Sequence, residues 1–339
     1  MSSQVALKKI HEVPAKAVLE QPDRWLESDS PWVARNLVAE WPLVQASQNG
    51  DHAFLSYLLR FYSGHKVAAF LGEPNIKGRF FYNSDLSGFN FTQLDTSLHQ
   101  LTEKLEELAS VDEAPSLYMG STNLDHWLPG LSNENALPLS LSDPLASLWL
   151  GNRSSVAAHF DYPANIACCV AGRRQFTLFS PEQIENLYIG PWDLTPAGQP
   201  VSLVDIKEPD LAQFPLFVRA LESASSAELA PGDSIYIPSL WWHQVEALSA
   251  VNGLVNFWWT HQAPVFGSPM DAFNHALLSL KQLPPAQREA WRALFDYYVF
   301  SEDASDRSYW PNHREDRTSD MGDALARKLR AELTNNLRR

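Results

Sequence analysis

Apolar and polar positions along the chain follow two different periods, and the change of period marks its organisation. "SPWVARNLVAEWPLVQASQ" (Ser30 to Gln48) has helix-compatible apolar spacing that stops at Trp41-Pro42. "HAFLSYLLRFYSG" (His52 to Gly64) reads as an amphipathic helix closed by Gly64. "KVAAFLGEP" reads as a short strand ending in a turn, and "GRFFYNSDLSGFNF" (Gly78 to Phe91) as strand and turn. Over Thr92 to Ser110, Leu94, Leu98, Leu101, Leu105 and Leu108 recur at three- and four-residue steps and predict a helix.

From Ser116 to Thr260 the pattern shortens to β-rich runs split by Gly, Pro, Asn and Asp: "SLYMG", "ASLWLG", "NIACCVAG", "RQFTLFSP", "DSIYIP" and "LVNFWWT". That spacing predicts an antiparallel sandwich or barrel rather than parallel βαβ units. After Pro269 the helical period returns in "MDAFNHALLSLKQL", "PAQREAWRALFDYYVF" and "MGDALARKLRAELTNNL". The last two are separated by a polar aromatic loop, Ser301 to Ser319. The expected layout is a helical or mixed region over 1–115, a β core over 116–262, and a helical region over 263–339. No internal repeat or low-complexity tract interrupts it.

Composition and charge narrow the classes. A chain of 339 residues with 45% hydrophobic residues can bury a real core. The net charge of −14 argues against a nucleic-acid partner, which calls for a basic face. Cys168 and Cys169 are adjacent, poorly placed to bridge each other, and read as buried reduced thiols. No apolar run approaches the ~18 residues of a membrane span. The opening "MSSQVALKKIHEVPAK" has no apolar signal core, so a soluble cytoplasmic protein is expected.

The candidate chemistry lies in "HFDYPANIACCVAGRRQFTLFSP". His159 and Asp161 stand two apart, and residues i and i+2 of a strand share a face. A third metal-capable side chain, His243, follows the Pro231-Gly232-Asp233 turn in "LAPGDSIYIPSLWWHQVEAL". Singly, each has a plain alternative: a His-x-Asp triplet occurs in capped turns, and a histidine beside Trp241 and Trp242 can be a satisfied core residue. Two close ligands and one distant one are how a two-histidine, one-carboxylate facial triad is encoded. Such a triad leaves positions open on a non-haem iron.

These stretches, with "VNFWWT" and the earlier "PWVARNLVAEWP", resemble the JmjC/cupin-like (cupin-8) class of Fe(II)- and 2-oxoglutarate-dependent oxygenases. They are most similar to the branch holding the asparaginyl hydroxylase that inhibits hypoxia-inducible factor. The resemblance covers roughly Ser116 to His261 and implies a double-stranded β-helix, or jelly roll. It implies that His159, Asp161 and His243 are the iron ligands and the catalytic centre. It further implies that Tyr118, Asn165, Arg174 and Asn256 surround 2-oxoglutarate. Arg174 stands where the family commonly has a lysine for the distal carboxylate, and Val156 where relatives often carry a hydroxyl.

Residue chemistry gives each of these an independent reading. Asn165 lies four residues past Asp161 on what reads as one strand, so it is expected on the same inward face. Asn256 sits in the apolar "GLVNFWW", where a buried amide needs partners, and a purely structural hydrogen bond competes with a cofactor contact. Tyr118 could equally be a packed strand tyrosine with its hydroxyl in solvent. Arg174 can pair bidentately with a carboxylate, while Arg173 points to the opposite face.

The reaction class implied is hydroxylation of a protein or small molecule, with O2 consumed. Two other classes stay open: a non-catalytic metal- or ligand-binding cupin, motivated by Arg174 and Val156, and a helix-mediated scaffold. A homodimer is expected through the C-terminal helices. Trp291, Phe295, Tyr297, Tyr298 and Phe300 leave them apolar on more than one side, and the resembled hydroxylase dimerises through such helices.

Overall fold

A computed structural model describes residues 7–301 and 321–338. The chain divides into two compact units, 1–259 and 260–339. In the first unit the strands are β1 (Lys8–Lys9), β2 (His11–Val13), β3 (Trp32–Ala34), β4 (Val67–Gly72), β5 (Arg79–Phe80), β6 (Phe91–Thr96), β7 (Ser116–Asn123) and β8 (Leu145–Gly151). They continue with β9 (Ser154–His159), β10 (Ala164–Ala171), β11 (Arg174–Phe179), β12 (Ser225–Leu229), β13 (Ser234–Ile237), β14 (Trp242–Ala247) and β15 (Asn252–Trp259).

A nine-stranded sheet runs β2-β3-β13-β10-β15-β8-β7-β4-β6, and a six-stranded sheet runs β1-β12-β11-β14-β9-β5. The pairings between β7 and β15 are antiparallel, and the fold is a cupin-like jelly roll with flanking helices, as the β-rich runs predict. Strands from before Ser116 extend both sheets, β1 and β5 in one and β2, β3, β4 and β6 in the other.

β10 shows how the layers are specified. All eight of its residues are buried, because both its faces are covered. Ile166, Cys168 and Val170 face a cluster with Phe54, Leu58, Leu101 and Leu105, which lie on the helices Asp51–Leu59 and Leu98–Leu108. Ala167 and Cys169 face the opposite sheet, packing in one cluster with Phe176 and Leu178 from β11 there and with Leu254 of the neighbouring β15. The two cysteines are free, and as successive strand residues they point to opposite layers. The Pro-Gly-Asp turn before β13 is structural. The Asp233 carboxylate accepts from Asn36 N at 3.0 Å and Ala230 N at 3.0 Å, and pairs with Arg35 at 2.8 Å.

Three expected helices are revised. Ser30–Trp41 is not helical. Trp32–Ala34 forms β3, with Trp32 opposite Tyr236 and its ring stacked on that tyrosine at 5.3 Å. Pro42 then opens the helix Pro42–Gln48 instead of ending one, because a first-turn proline loses no helical hydrogen bond. Thr92–Thr96 belongs to β6, where pairing with β4 overrides the helical period, and Leu94 is half exposed. The helix begins only at Leu98, where Ser97 and Gln100 form a capping box. The helix before β4 ends at Leu59, short of Gly64.

The second unit holds the helices Pro269–Leu280, Pro285–Phe295 and Asp323–Leu337, with a π turn over Asp296–Phe300. Ser268 caps the first helix, and Arg330 donates to the carbonyls of Pro264 and Val265. Apart from Ser301, the loop expected at Ser301–Ser319 lies outside the described residues.

Candidate metal centre

β9 and β14 are antiparallel neighbours, and their register sets His159 opposite His243. Between the pairs His243–His159 and Val245–Val156 the register shifts, so β9 carries one extra residue. This bulge decides where His159 points. Strict alternation from Val156 would turn residue 159 away from the interior, whereas with the bulge both Val156 and His159 line one cavity. Asp161 lies beyond the end of β9, in the turn leading to β10, and its carbonyl accepts from Leu240 N at 2.9 Å. The ligand pair therefore does not share one strand, and Asn165 belongs to the next strand, β10, rather than to that of Asp161.

The potential ligand atoms of His159, Asp161 and His243 all lie within 4.8 Å of one another, and this group could hold a metal ion. His243 Nε2 is 3.6 Å from Asp161 Oδ2, and the two imidazole centroids are 4.4 Å apart. Each imidazole is tied through Nδ1, His159 to the carbonyl of Ala157 at 2.8 Å and His243 to that of Trp241 at 2.9 Å. A carbonyl only accepts, so both protons sit on Nδ1 and both Nε2 lone pairs remain for a metal. Burial holds the His243 pKa down at about 4, reinforced by His159 and opposed by Asp161, so its neutral form is favoured. Trp258 donates its indole N–H to Asp161 Oδ2 at 3.2 Å and orients the carboxylate. Two imidazoles and a carboxylate on one side of a cavity suit a divalent first-row metal, iron included.

The cavity beside the triad measures about 320 Å³. Tyr118, Asn165, Arg174 and Asn256 line it, so the structure brings every residue of the expected cofactor set to the triad. Arg174 is 4% exposed, and its Nε is a buried atom without a hydrogen-bond partner. Burial lowers the Arg174 pKa, because a guanidinium away from water loses its hydration. Burial likewise raises the Tyr118 pKa, which keeps the phenol a proton donor; its ring stacks on Trp149 at 5.9 Å. A buried cation without an internal partner is a ready anion site, and a dicarboxylate beside the metal fits it. Asn256 accepts from Trp149 Nε1 at 2.6 Å and donates to Asn165 Oδ1 at 3.3 Å. Arg173 turns outward and pairs with Glu228.

Two tryptophans contribute to the site without having been singled out as site residues from the sequence. Trp149 and Trp258 are donor-only side chains whose N–H groups meet a buried amide oxygen of Asn256 and the partly buried carboxylate of Asp161. Phe70, Phe80 and Phe91, from β4, β5 and β6, complete an aromatic wall.

Residues 18–264 match the family described as a cupin-like domain, and the chain belongs to that family. Among characterised proteins it is 25% identical over 269 residues to JmjC domain-containing protein D of Dictyostelium discoideum, covering 74% of this chain and 55% of that protein. It is 23% identical over 268 residues to lysine-specific demethylase 8 of Xenopus tropicalis, covering 77% and 54%. It is also 34% identical over 121 residues to tRNA wybutosine-synthesizing protein 5 of Danio rerio, covering 36% and 32%. The matches span about half or less of each of these relatives' own length.

Proposed function

We propose that the protein is an Fe(II)- and 2-oxoglutarate-dependent oxygenase that hydroxylates a protein or small-molecule substrate. One observation carries this reading: a His-Asp-His triad and a buried, unpartnered guanidinium open on the same cavity. When bound, iron with 2-oxoglutarate supplies oxidation of an unactivated C–H bond by O2, coupled to release of succinate and CO2.

The chain's own residues have distinct tasks in this scheme. His159, Asp161 and His243 hold the metal, and Trp258 keeps Asp161 turned toward it. Arg174 and the Tyr118 hydroxyl take the distal carboxylate of 2-oxoglutarate, with Arg174 in the role of the usual lysine. Asn165 and Asn256 provide polar contacts at its other end. Phe70, Phe80, Phe91 and Trp149 exclude water from the reacting side. We read the Tyr118, Asn165 and Asn256 set as support for a likeness to the asparaginyl-hydroxylase branch. The names of its relatives point to different substrates, a demethylase and a tRNA-modifying protein, so no substrate is carried over.

The test is substrate-uncoupled succinate formation from 2-oxoglutarate with Fe(II) and ascorbate. Turnover above that of a His159→Ala/Asp161→Ala control supports the oxygenase. Metal binding without 2-oxoglutarate binding or turnover supports the second reading, a non-catalytic metal-binding cupin. That reading is favoured by Val156, which offers no hydroxyl to the cavity.

A further inference from the structure

We infer that Trp149 is a positioning residue that fixes the polarity of two cavity amides, so that Asn165 presents its NH2 group rather than its carbonyl to the bound anion. The inference rests on the oxygenase reading for the identity of that anion. The polarity itself follows from the hydrogen bonds alone.

An indole N–H can only donate. Trp149 Nε1 lies 2.6 Å from the Asn256 side chain, so the atom it meets must be the acceptor Oδ1. The other end of that amide, Nδ2, must then donate. It meets the Asn165 side chain at 3.3 Å, which makes that contact atom Oδ1 as well. Asn165 Nδ2 is therefore turned away from Asn256. Without the indole, nothing in this chain of contacts would distinguish the two orientations, since carboxamide oxygen and nitrogen are nearly the same size.

Asn165 is only 6% exposed, yet among the described residues the sole buried side-chain N or O atom without a partner is Arg174 Nε. No hydrogen bond from Asn165 Nδ2 to the protein is present among the described residues, so the group must touch open space. The space that Asn165 lines is the cavity beside the triad. The relay thus adds a neutral pair of donors to a cavity that also holds the Arg174 guanidinium and the Tyr118 phenol. A reversed amide would instead set a carbonyl lone pair against a carboxylate. The ring of Trp149 has a second task, stacking on Tyr118 and meeting Trp258 edge-on at 5.7 Å. Trp149→Phe removes the N–H while keeping an aromatic ring for these contacts.

The test is anaerobic calorimetric titration of 2-oxoglutarate into Mn(II)-loaded protein, for wild type, Trp149→Phe, Asn165→Ala and the double variant. Trp149→Phe is expected to weaken 2-oxoglutarate about fivefold or more, and to leave Mn(II) affinity within about twofold. In the Asn165→Ala background the same change should have no further effect, because the relay no longer has an end. An effect that persists in that background would mean that Trp149 acts by packing, and it would overturn the inference. So would unchanged affinity in Trp149→Phe when the wild type binds.

If the wild type ignores 2-oxoglutarate altogether, the oxygenase reading fails, and the relay is decided separately by side-chain 1H–15N spectra of asparagine-labelled protein. Slow exchange of the Asn256 amide protons in wild type and fast exchange in Trp149→Phe supports the relay. Equal exchange in both refutes it.

Discussion

Replacing Arg174 by methionine should make the ligand-free protein more stable while weakening its affinity for 2-oxoglutarate. Arg174 is 4% exposed, with Nε unpartnered, and burial opposes its charge. Exchanging a buried ion pair for well-packed apolar side chains of similar volume is neutral or stabilising by about 1–4 kcal/mol, and a lone buried cation lacks even the pair's mutual attraction. Methionine is unbranched and adaptable, and Phe176, Val245 and Leu254 offer it an apolar lining. A gain of about 1–3 kcal/mol in urea unfolding is expected for the metal-loaded variant without cosubstrate.

With 2-oxoglutarate at 100 times the wild-type dissociation constant, linkage adds about 2.7 kcal/mol to the wild type and only about 0.3–1.4 kcal/mol to the variant. The stability order should therefore narrow or reverse when the cosubstrate is added. Direct titration should show a loss of about 1.5–3 kcal/mol, the scale of a hydrogen bond to a charged group, which is roughly 10- to 150-fold in affinity. Arg174→Lys keeps the charge and should retain binding. A variant that is less stable without ligand, and equally stabilised by 2-oxoglutarate, would refute the reasoning on both counts.

Four further outcomes follow from the site and the C-terminal unit. His159→Ala/Asp161→Ala should reduce bound metal from about one per chain to near zero by elemental analysis, and full retention would move the metal elsewhere. Trp258→Phe, which removes the donor to Asp161, should weaken metal binding about 10- to 100-fold in a competition titration; unchanged affinity would make that hydrogen bond irrelevant to the ligand. Because burial holds the His243 pKa near 4, the unfolded chain binds a proton that the folded metal-free chain refuses. Its contribution is fully present above about pH 6.5 and is lost as pH falls toward 4, so chelator-treated protein should show a lower urea midpoint at about pH 5 than at about pH 7.5, less so in His243→Gln. We propose a two-fold dimer through the C-terminal helices, where Leu278 is 75% and Phe300 72% exposed; light scattering should give twice the chain mass at micromolar concentration, and a monomer mass would reject it.

The sequence by itself determined the β core and the residue types of the site. The β-rich runs from Ser116 to Thr260 are split by Gly, Pro, Asn and Asp, and "SLYMG", "ASLWLG", "NIACCVAG" and "RQFTLFSP" all became strands. His159, Asp161 and His243 stood out because few side chains bind metals and the three were spaced as ligands often are. The family resemblance put Arg174 inside, and alternation along the strand then put Arg173 on the opposite face.

Other features depended on partners far along the chain. Trp32–Ala34 and Thr92–Thr96 have helix-compatible spacing, but hydrogen bonds to β13 and β4 are what hold them extended. His159 faces the cavity only because β9 bulges against β14, and nothing within "SSVAAH" announces the extra residue. The orientation of Asn165 is set through Asn256 by Trp149, whose strands meet only in the folded sheet. Periodicity is a property of neighbours in sequence, and so it was legible. Register, bulges and the direction of a buried hydrogen bond are properties of neighbours in space, and only the assembled sheets could decide them.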